Sequence, residues 1–259
     1  MKFRLGLALL LSMGAINLQA STVLYVQTFE NPNGFVNDGG DVNIFRSVNQ
    51  LYGNQPPGFT FAQTNTVETL LVGGSQAWGT GFLDPQGVAG RYALGMLSSY
   101  ENDLLGLSFD LGPYRYLNFR LDFSSIDVDR WGGPFVPVTG EQPTFRFTLF
   151  DNPSGATGLG SGSILSTIDV TGTASPRNTF DWTNAVVGLD AAGSTNGKVT
   201  LRIDLLSGGY AAMDNFVIAA SDRIGDVPVV PEPSAWISLV TGLAVAARFR
   251  TVRNRNRLS

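Results

Sequence analysis

Two sets of side chains have the types and spacing for chemistry, and both are built on carboxylates. Asp127 and Asp129 stand two residues apart beside Arg130 and Trp131, in a stretch between residues 125 and 143 that also carries Gly132 and Gly133. An exposed tryptophan ring can stack on a pyranose face while nearby acids accept its hydroxyl hydrogen bonds, which makes Asp127, Asp129 and Trp131 candidates for binding a sugar. A loop tryptophan that merely plugs the end of a sandwich would use the same residues. Two acids could also serve a glycosidase, provided they face each other across a groove at roughly 5–10 Å. The second set is Glu30, which ends Thr28-Phe29-Glu30, and Asp214, which lies in Met213-Asp214-Asn215-Phe216-Val217-Ile218. Asp214 shares the parity of Phe216 and Ile218, so with those two in a core it points inward near a strand end. A half-buried carboxylate without partners is costly and calls for compensation. The competing expectation is that Asp214 caps a turn and Glu30 is solvated.

What the chain lacks sharpens this. It has no histidine and no cysteine. The commonest general base, the usual activator of a nucleophile and the usual zinc ligands are therefore missing. An oxygen-only ligand set suits Ca2+, so a metal held by Glu30 and Asp214 would be calcium, in a structural role. A domain without disulfides must otherwise be held by its core.

The elements that position these residues read as β-strands. Leu117, Phe119, Leu121 and Phe123 alternate with Asn118, Arg120, Asp122 and Ser124. Phe145, Phe147 and Leu149 repeat the pattern, as do Val199, Leu201, Ile203 and Leu205. Period-2 alternation predicts antiparallel strands with one apolar face. Further strands are expected over 23–29, 42–48, 67–72, 91–97, 104–109, 164–170, 182–187 and 213–219, separated by turn signals such as Asn31-Pro32-Asn33-Gly34 and Gln55-Pro56-Pro57-Gly58. About eleven short strands without a fixed-period repeat predict an all-β, two-sheet antiparallel sandwich of jelly-roll type. In such a fold the first and last strands are often neighbours, which would bring Glu30 to Asp214. The Gly- and Ser-rich stretch 151–163 is expected to be merely flexible.

The two ends of the chain differ from its middle. Lys2 and Arg4 precede an apolar run from Leu5 to Ala15, and Leu18-Gln19-Ala20 offers a cleavage site before Ser21. That is the pattern of a secretory signal, accompanied by a signal helix. Near the other end, Val230-Pro231-Glu232-Pro233-Ser234 leads into an apolar run of about 13 residues closed by Arg248 and Arg250. The prolines cannot lie inside a helix, and Ser234 can cap one that begins at Ala235. The run is short for a span of about 20 residues, and arginines that snorkel would extend it as a transmembrane helix. Residues 21–230 carry 10 basic and 20 acidic side chains. A domain so acidic is a poor partner for nucleic acid or anionic lipid.

The Pro231-Glu232-Pro233 element, the apolar run and the arginine cluster together resemble the PEP-CTERM sorting signal of exported bacterial proteins. The resemblance covers about a tenth of the chain. It implies an exosortase-type processing enzyme as partner, an inner-membrane-tethered precursor with Arg248 and Arg250 as the stop, and a final place at the cell surface or in the extracellular matrix with exopolysaccharide. Phe29-Glu30 and Asp214-Asn215 resemble the pattern near a structural calcium in sugar-binding and MAM-like jelly rolls, although the cysteines of MAM domains are missing. The expected organisation is a signal peptide over 1–20, a β-sandwich ectodomain over 21–226 and a sorting signal over 227–259. The expected function is a non-catalytic envelope or matrix protein binding exopolysaccharide. The alternative is a secreted glycoside-active hydrolase on the same scaffold.

Overall fold

The computed structural model describes residues 21–53, 55–56, 59–64, 66–98, 102–126 and 141–229. Residues 21–227 belong to one compact unit, and the chain from Pro228 belongs to another. The described residues form twelve strands: β1 Thr22–Gln27, β2 Val42–Asn43, β3 Thr60–Gln63, β4 Glu68–Leu71, β5 Tyr92–Leu97, β6 Leu104–Asp110, β7 Tyr116–Ser125, β8 Thr144–Asp151, β9 Ile164–Thr171, β10 Thr183–Asp190, β11 Lys198–Ser207 and β12 Tyr210–Ser221. One sheet runs β10-β7-β12-β5-β4-β2, with β1 added to β12. The other runs β3-β6-β11-β8-β9. Every pairing between these strands is antiparallel. The fold is the expected two-sheet sandwich of jelly-roll type.

The alternating strands build the core between the sheets. Leu117, Phe119, Leu121 and Phe123 of β7 are fully buried, and they face Phe145, Phe147 and Leu149 of β8. Edge-to-face ring pairs tie the sheets together: Phe119 meets Phe147 at 5.7 Å, and Phe123 meets Phe145 at 5.2 Å.

The first sheet carries a second apolar cluster on its outer side. Leu70, Ala93, Tyr210 and Ala212 pack there against Val72, Ala77, Phe82 and Ala89 of one connecting segment and Phe180 of another. Long connections thus cover the outer face of that sheet, and they set the environment of the acids described below.

The stretch 151–163 is built into the structure. It lies over the outer face of the second sheet, so close that a Cβ on Gly106 would come 2.4 Å from the Gly158 carbonyl oxygen. Asn152 Nδ2 donates to Ala156 O at 2.8 Å and Thr200 Oγ1 at 3.0 Å, and Ser108 Oγ donates to Ala156 O at 3.1 Å. The expectation of mere flexibility is corrected. Glycine is there because a backbone must approach a sheet closely, which composition alone does not distinguish from a linker. Beneath this segment lies a polar cavity of about 200 Å³, lined in part by Asp151, Ser154, Thr157 and Thr200.

Candidate functional site

β12 changes partners halfway along one edge. Tyr210 to Met213 pair with β5, and Phe216 to Ala220 pair with β1. Asp214 and Asn215 sit at the fork, where neither neighbour holds that edge. On the opposite edge β12 pairs with β7, and between the pairs Asp214↔Asp122 and Val217↔Arg120 it spends two residues against one. This is a β-bulge, with Asn215 at φ 53° in the left-handed region that asparagine tolerates better than most residues.

The bulge changes the expected direction of Asp214. Phe216 and Ile218 do face the main core, as does Met213 on the other side of the bulge. Asp214 stands opposite Asp122, which alternates with the inward Leu121 and Phe123, so it lies on the outer face of the sheet. It is still completely buried. Parity carried backward from Phe216 fails because the extra residue inverts it.

Around Asp214 the chain gathers acids. Its Oδ1 accepts the Asn215 backbone N–H at 2.6 Å, while its Oδ2 is buried without a partner. Burial foremost, and then the negative charges of Glu30, Asp122 and Asp84, push the Asp214 carboxyl up to about 9. Asp122 accepts Asn184 Nδ2 at 2.7 Å and Asn215 Nδ2 at 2.9 Å, and the latter also donates to Val88 O at 3.1 Å. Glu30 follows β1 directly after Phe29, whose φ is 54°. Both oxygens of Glu30 accept the Arg91 backbone N–H at 3.1 Å, just before β5 begins. A Cβ at Gly90, whose φ is 58°, would come 2.2 Å from Glu30 Oε1, so a side chain there would be strained and would push the Glu30 carboxylate aside.

The expected adjacency of the first and last strands is therefore present, and Glu30 and Asp214 are close enough to repel one another. Among the described residues no three acidic side chains converge as a ready metal cluster. A cation at the fork would need main-chain carbonyl oxygens to complete its shell. Amide N–H groups already engage Glu30 and Asp122, and Asp214 Oδ2 is the one carboxylate oxygen at the fork without a partner, the kind of hard donor that suits such a cation.

A tryptophan–carboxylate combination also occurs on this side of the molecule, at residues the sequence did not mark. Trp182 is half-buried on Phe180, with ring centroids 4.8 Å apart. Its indole Nε1–H donates to Asp84 Oδ1 at 3.1 Å, and its backbone N–H donates to Gln86 Oε1 at 3.1 Å. Asp84 also accepts the N–H groups of Gly87 at 2.9 Å and Ala89 at 2.8 Å. Gln86 Nε2 reaches Asp181 Oδ1 at 3.4 Å, so polar groups ring an indole whose orientation is fixed. The segment 84–91 connects the two features, with Trp182 at one end and Glu30 at the other.

Asp127, Asp129 and Trp131 lie outside the described residues, as do Pro231, Glu232, Pro233, Arg248 and Arg250. Among the described residues no helix is long and apolar enough to cross a membrane. A further buried acid, Glu68, accepts the Tyr210 hydroxyl, and burial pushes it up to about 7.

No family model and no curated protein matches the chain. Several solved structures are similar to it. One holds the CBM22-1 and GH10 modules of the Clostridium thermocellum xylanase Xyn10B in complex with xylohexaose, with 13% identity, a TM-score of 0.39, and coverage of 81% of this chain and 30% of that one. This chain thus spans about a third of that protein's length. Another is the CBM22-1 xylan-binding domain of Paenibacillus barcinonensis Xyn10C, with 11% identity, a TM-score of 0.41, and coverage of 79% and 98%. The K3 cleaved adhesin domain of Lys-gingipain from Porphyromonas gingivalis gives 13% identity, a TM-score of 0.41, and coverage of 77% and 99%. At such identities the likeness is one of fold alone.

Proposed function

We propose that this is an exported, non-catalytic β-sandwich protein of the cell envelope or extracellular matrix, which binds polysaccharide and carries a structural calcium ion. The observation that carries the binding role is Trp182. Trp182 is half-buried, its tilt is fixed by Asp84 and Phe180, and Gln86 and Asp181 stand beside it to meet sugar hydroxyls. The calcium reading rests on Asp214 Oδ2, buried without a partner beside Glu30 and Asp122. Asp214 and Glu30 would hold the ion together with main-chain oxygens, and it would tie β1, β12 and the segment before β5 at the fork. Such an ion is a brace, and it supplies no chemistry to a bound sugar.

Binding is tested on an oligosaccharide array with the full-length chain in detergent. Trp182→Ala is expected to lower affinity for the bound sugars by at least about tenfold, as for other buried aromatic anchors. Trp182→Phe keeps a stacking ring and is expected to lose less. Unchanged binding by Trp182→Ala would remove this surface from the site.

Export rests on the sequence: Lys2 and Arg4 with the apolar run after them, and the Pro231-Glu232-Pro233 tail. The proposed course is a membrane-tethered precursor, cut near Pro231-Glu232-Pro233 by an exosortase-type enzyme. Prolines keep the segment extended, and Arg248 and Arg250 resist transfer across the apolar core. Replacing the three residues with alanine is expected to leave an uncut, membrane-bound chain. Mass spectrometry of the natively exported protein is expected to lack Arg253, and its presence would overturn the processing step.

A further inference from the structure

The domain is acidic overall, yet one exposed surface holds two arginines whose guanidinium groups meet no carboxylate among the described residues. Arg46 is exposed beside Phe45, a residue 81% exposed. The Arg46 guanidinium lies against Gly34, where a Cβ would come 2.6 Å from its Nη1. The next residue, Phe35, packs on Tyr92 with ring centroids 5.1 Å apart. The Arg91 guanidinium carbon stands 5.6 Å from the centroid of that Tyr92 ring. Arg46 thus lies beside the Gly34-Phe35 segment, and the Phe35–Tyr92 ring pair leads from there to Arg91.

The ion pairs among the described residues, Arg115–Asp190, Arg146–Asp169 and Arg202–Asp204, lie elsewhere. The acids nearest to this surface in the chain are already occupied. Glu30 accepts the Arg91 backbone N–H, and Asp38 Oδ2 accepts Asn43 Nδ2 and the Ile44 N–H. Guanidinium groups match carboxylates through paired hydrogen bonds, and an aromatic surface between them suits the apolar face of a sugar ring. The domain's net negative charge works against indiscriminate adsorption of a polyanion, so recognition here has to come from the local geometry.

We infer that Arg46 and Arg91, with Phe35 and Tyr92, form a subsite for a carboxylated sugar, so that the polysaccharide this protein binds contains uronic acid. This deepens the polysaccharide-binding reading and rests on it. The surface is separate from Trp182, so the two can fail independently.

The test compares trigalacturonate with its carboxyl-reduced counterpart at one fixed calcium concentration, by calorimetric titration of the full-length chain in detergent. The natural protein is expected to bind the acid about tenfold more tightly, the effect of one or two charge-assisted hydrogen bonds. Arg46→Gln with Arg91→Gln is expected to erase that preference and leave binding of the reduced sugar unchanged. Both arginines are exposed, so the variant is expected to fold, and an unshifted melting curve checks this. Arg46→Lys with Arg91→Lys is expected to retain part of the preference. Trp182→Ala is expected to weaken both ligands in proportion. Equal affinity of the natural protein for the two sugars, no binding of trigalacturonate, or a preference that survives the double glutamine change would each overturn the inference. A preserved acid preference with no effect of Trp182→Ala would sink the Trp182 reading alone.

Discussion

Replacing Leu121 with aspartate is expected to leave no folded protein. Leu121 is completely buried in the middle of β7, between Phe119 and Phe123 on the same inward face, with Ala185 of β10 opposite it. The change removes a packed leucine, worth about 2–5 kcal/mol in comparable cores. It also puts a charge where no described residue offers a cation, at a cost of several kcal/mol more. Against a typical total of about 5–15 kcal/mol, these two losses suffice to unfold the sandwich. Arg120→Thr provides the contrast. Its side chain lies on the outer face of the same strand and is half-exposed, so the variant is expected to melt within a few degrees of the natural protein. Export yield and thermal denaturation of the two variants read the result. Normal yield and melting for Leu121→Asp would mean that the faces of β7 are reversed.

That strand was legible because its pattern is local. Leu117, Phe119, Leu121 and Phe123 alternate with polar residues, and alternation needs no knowledge of partners. The same holds for β8 and β11, and the adjacency of β1 and β12 followed from the expected architecture. β3 carries little signal in the sequence, since Thr60–Gln63 offers only four residues. The direction of Asp214 is not legible for a different reason. A bulge at Asn215 inverts parity, and asparagine in a strand does not by itself announce a bulge. Trp182 is not legible as a site because the acid that orients it, Asp84, lies 98 residues earlier. The only available signal was Trp182 following Asp181 at the head of a strand, which is weak. Sites assembled from loops across a sandwich depend on tertiary proximity, and periodicity carries no information about that.

Raising the pH without calcium is expected to destabilise the protein, and calcium is expected to reverse most of the loss. Asp214 is raised from the ordinary carboxylate range to about 9 and Glu68 to about 7, burial being the main cause in both. The folded state therefore holds protons that the unfolded chain releases near pH 4. Stability is fully present below that pH, and it declines as pH rises toward 7 for Glu68 and toward 9 for Asp214. Each pKa unit is worth about 1.4 kcal/mol, so fully ionising Asp214 without a partner costs on the order of 7 kcal/mol. A calcium ion at the fork would favour the ionised form and supply the partner that Asp214 Oδ2 lacks. With a dissociation constant of about 0.1–1 mM, as in extracellular calcium modules, 10 mM calcium at pH 8 would add roughly 1.4–2.7 kcal/mol. For a domain of this size that amounts to an increase of about 5 °C in melting temperature, reversed by chelation. Asp214→Asn keeps the shape and removes the charge. It is expected to lessen the alkaline decline, leaving the part due to Glu68, and to abolish the response to calcium. Glu68→Gln is expected to do the opposite, keeping the calcium response while removing the decline between about pH 5 and 7. A natural protein whose melting temperature at pH 8 is the same in 10 mM calcium as in chelator would refute the ion at the fork. A calcium response that persists in Asp214→Asn would place the ion somewhere else.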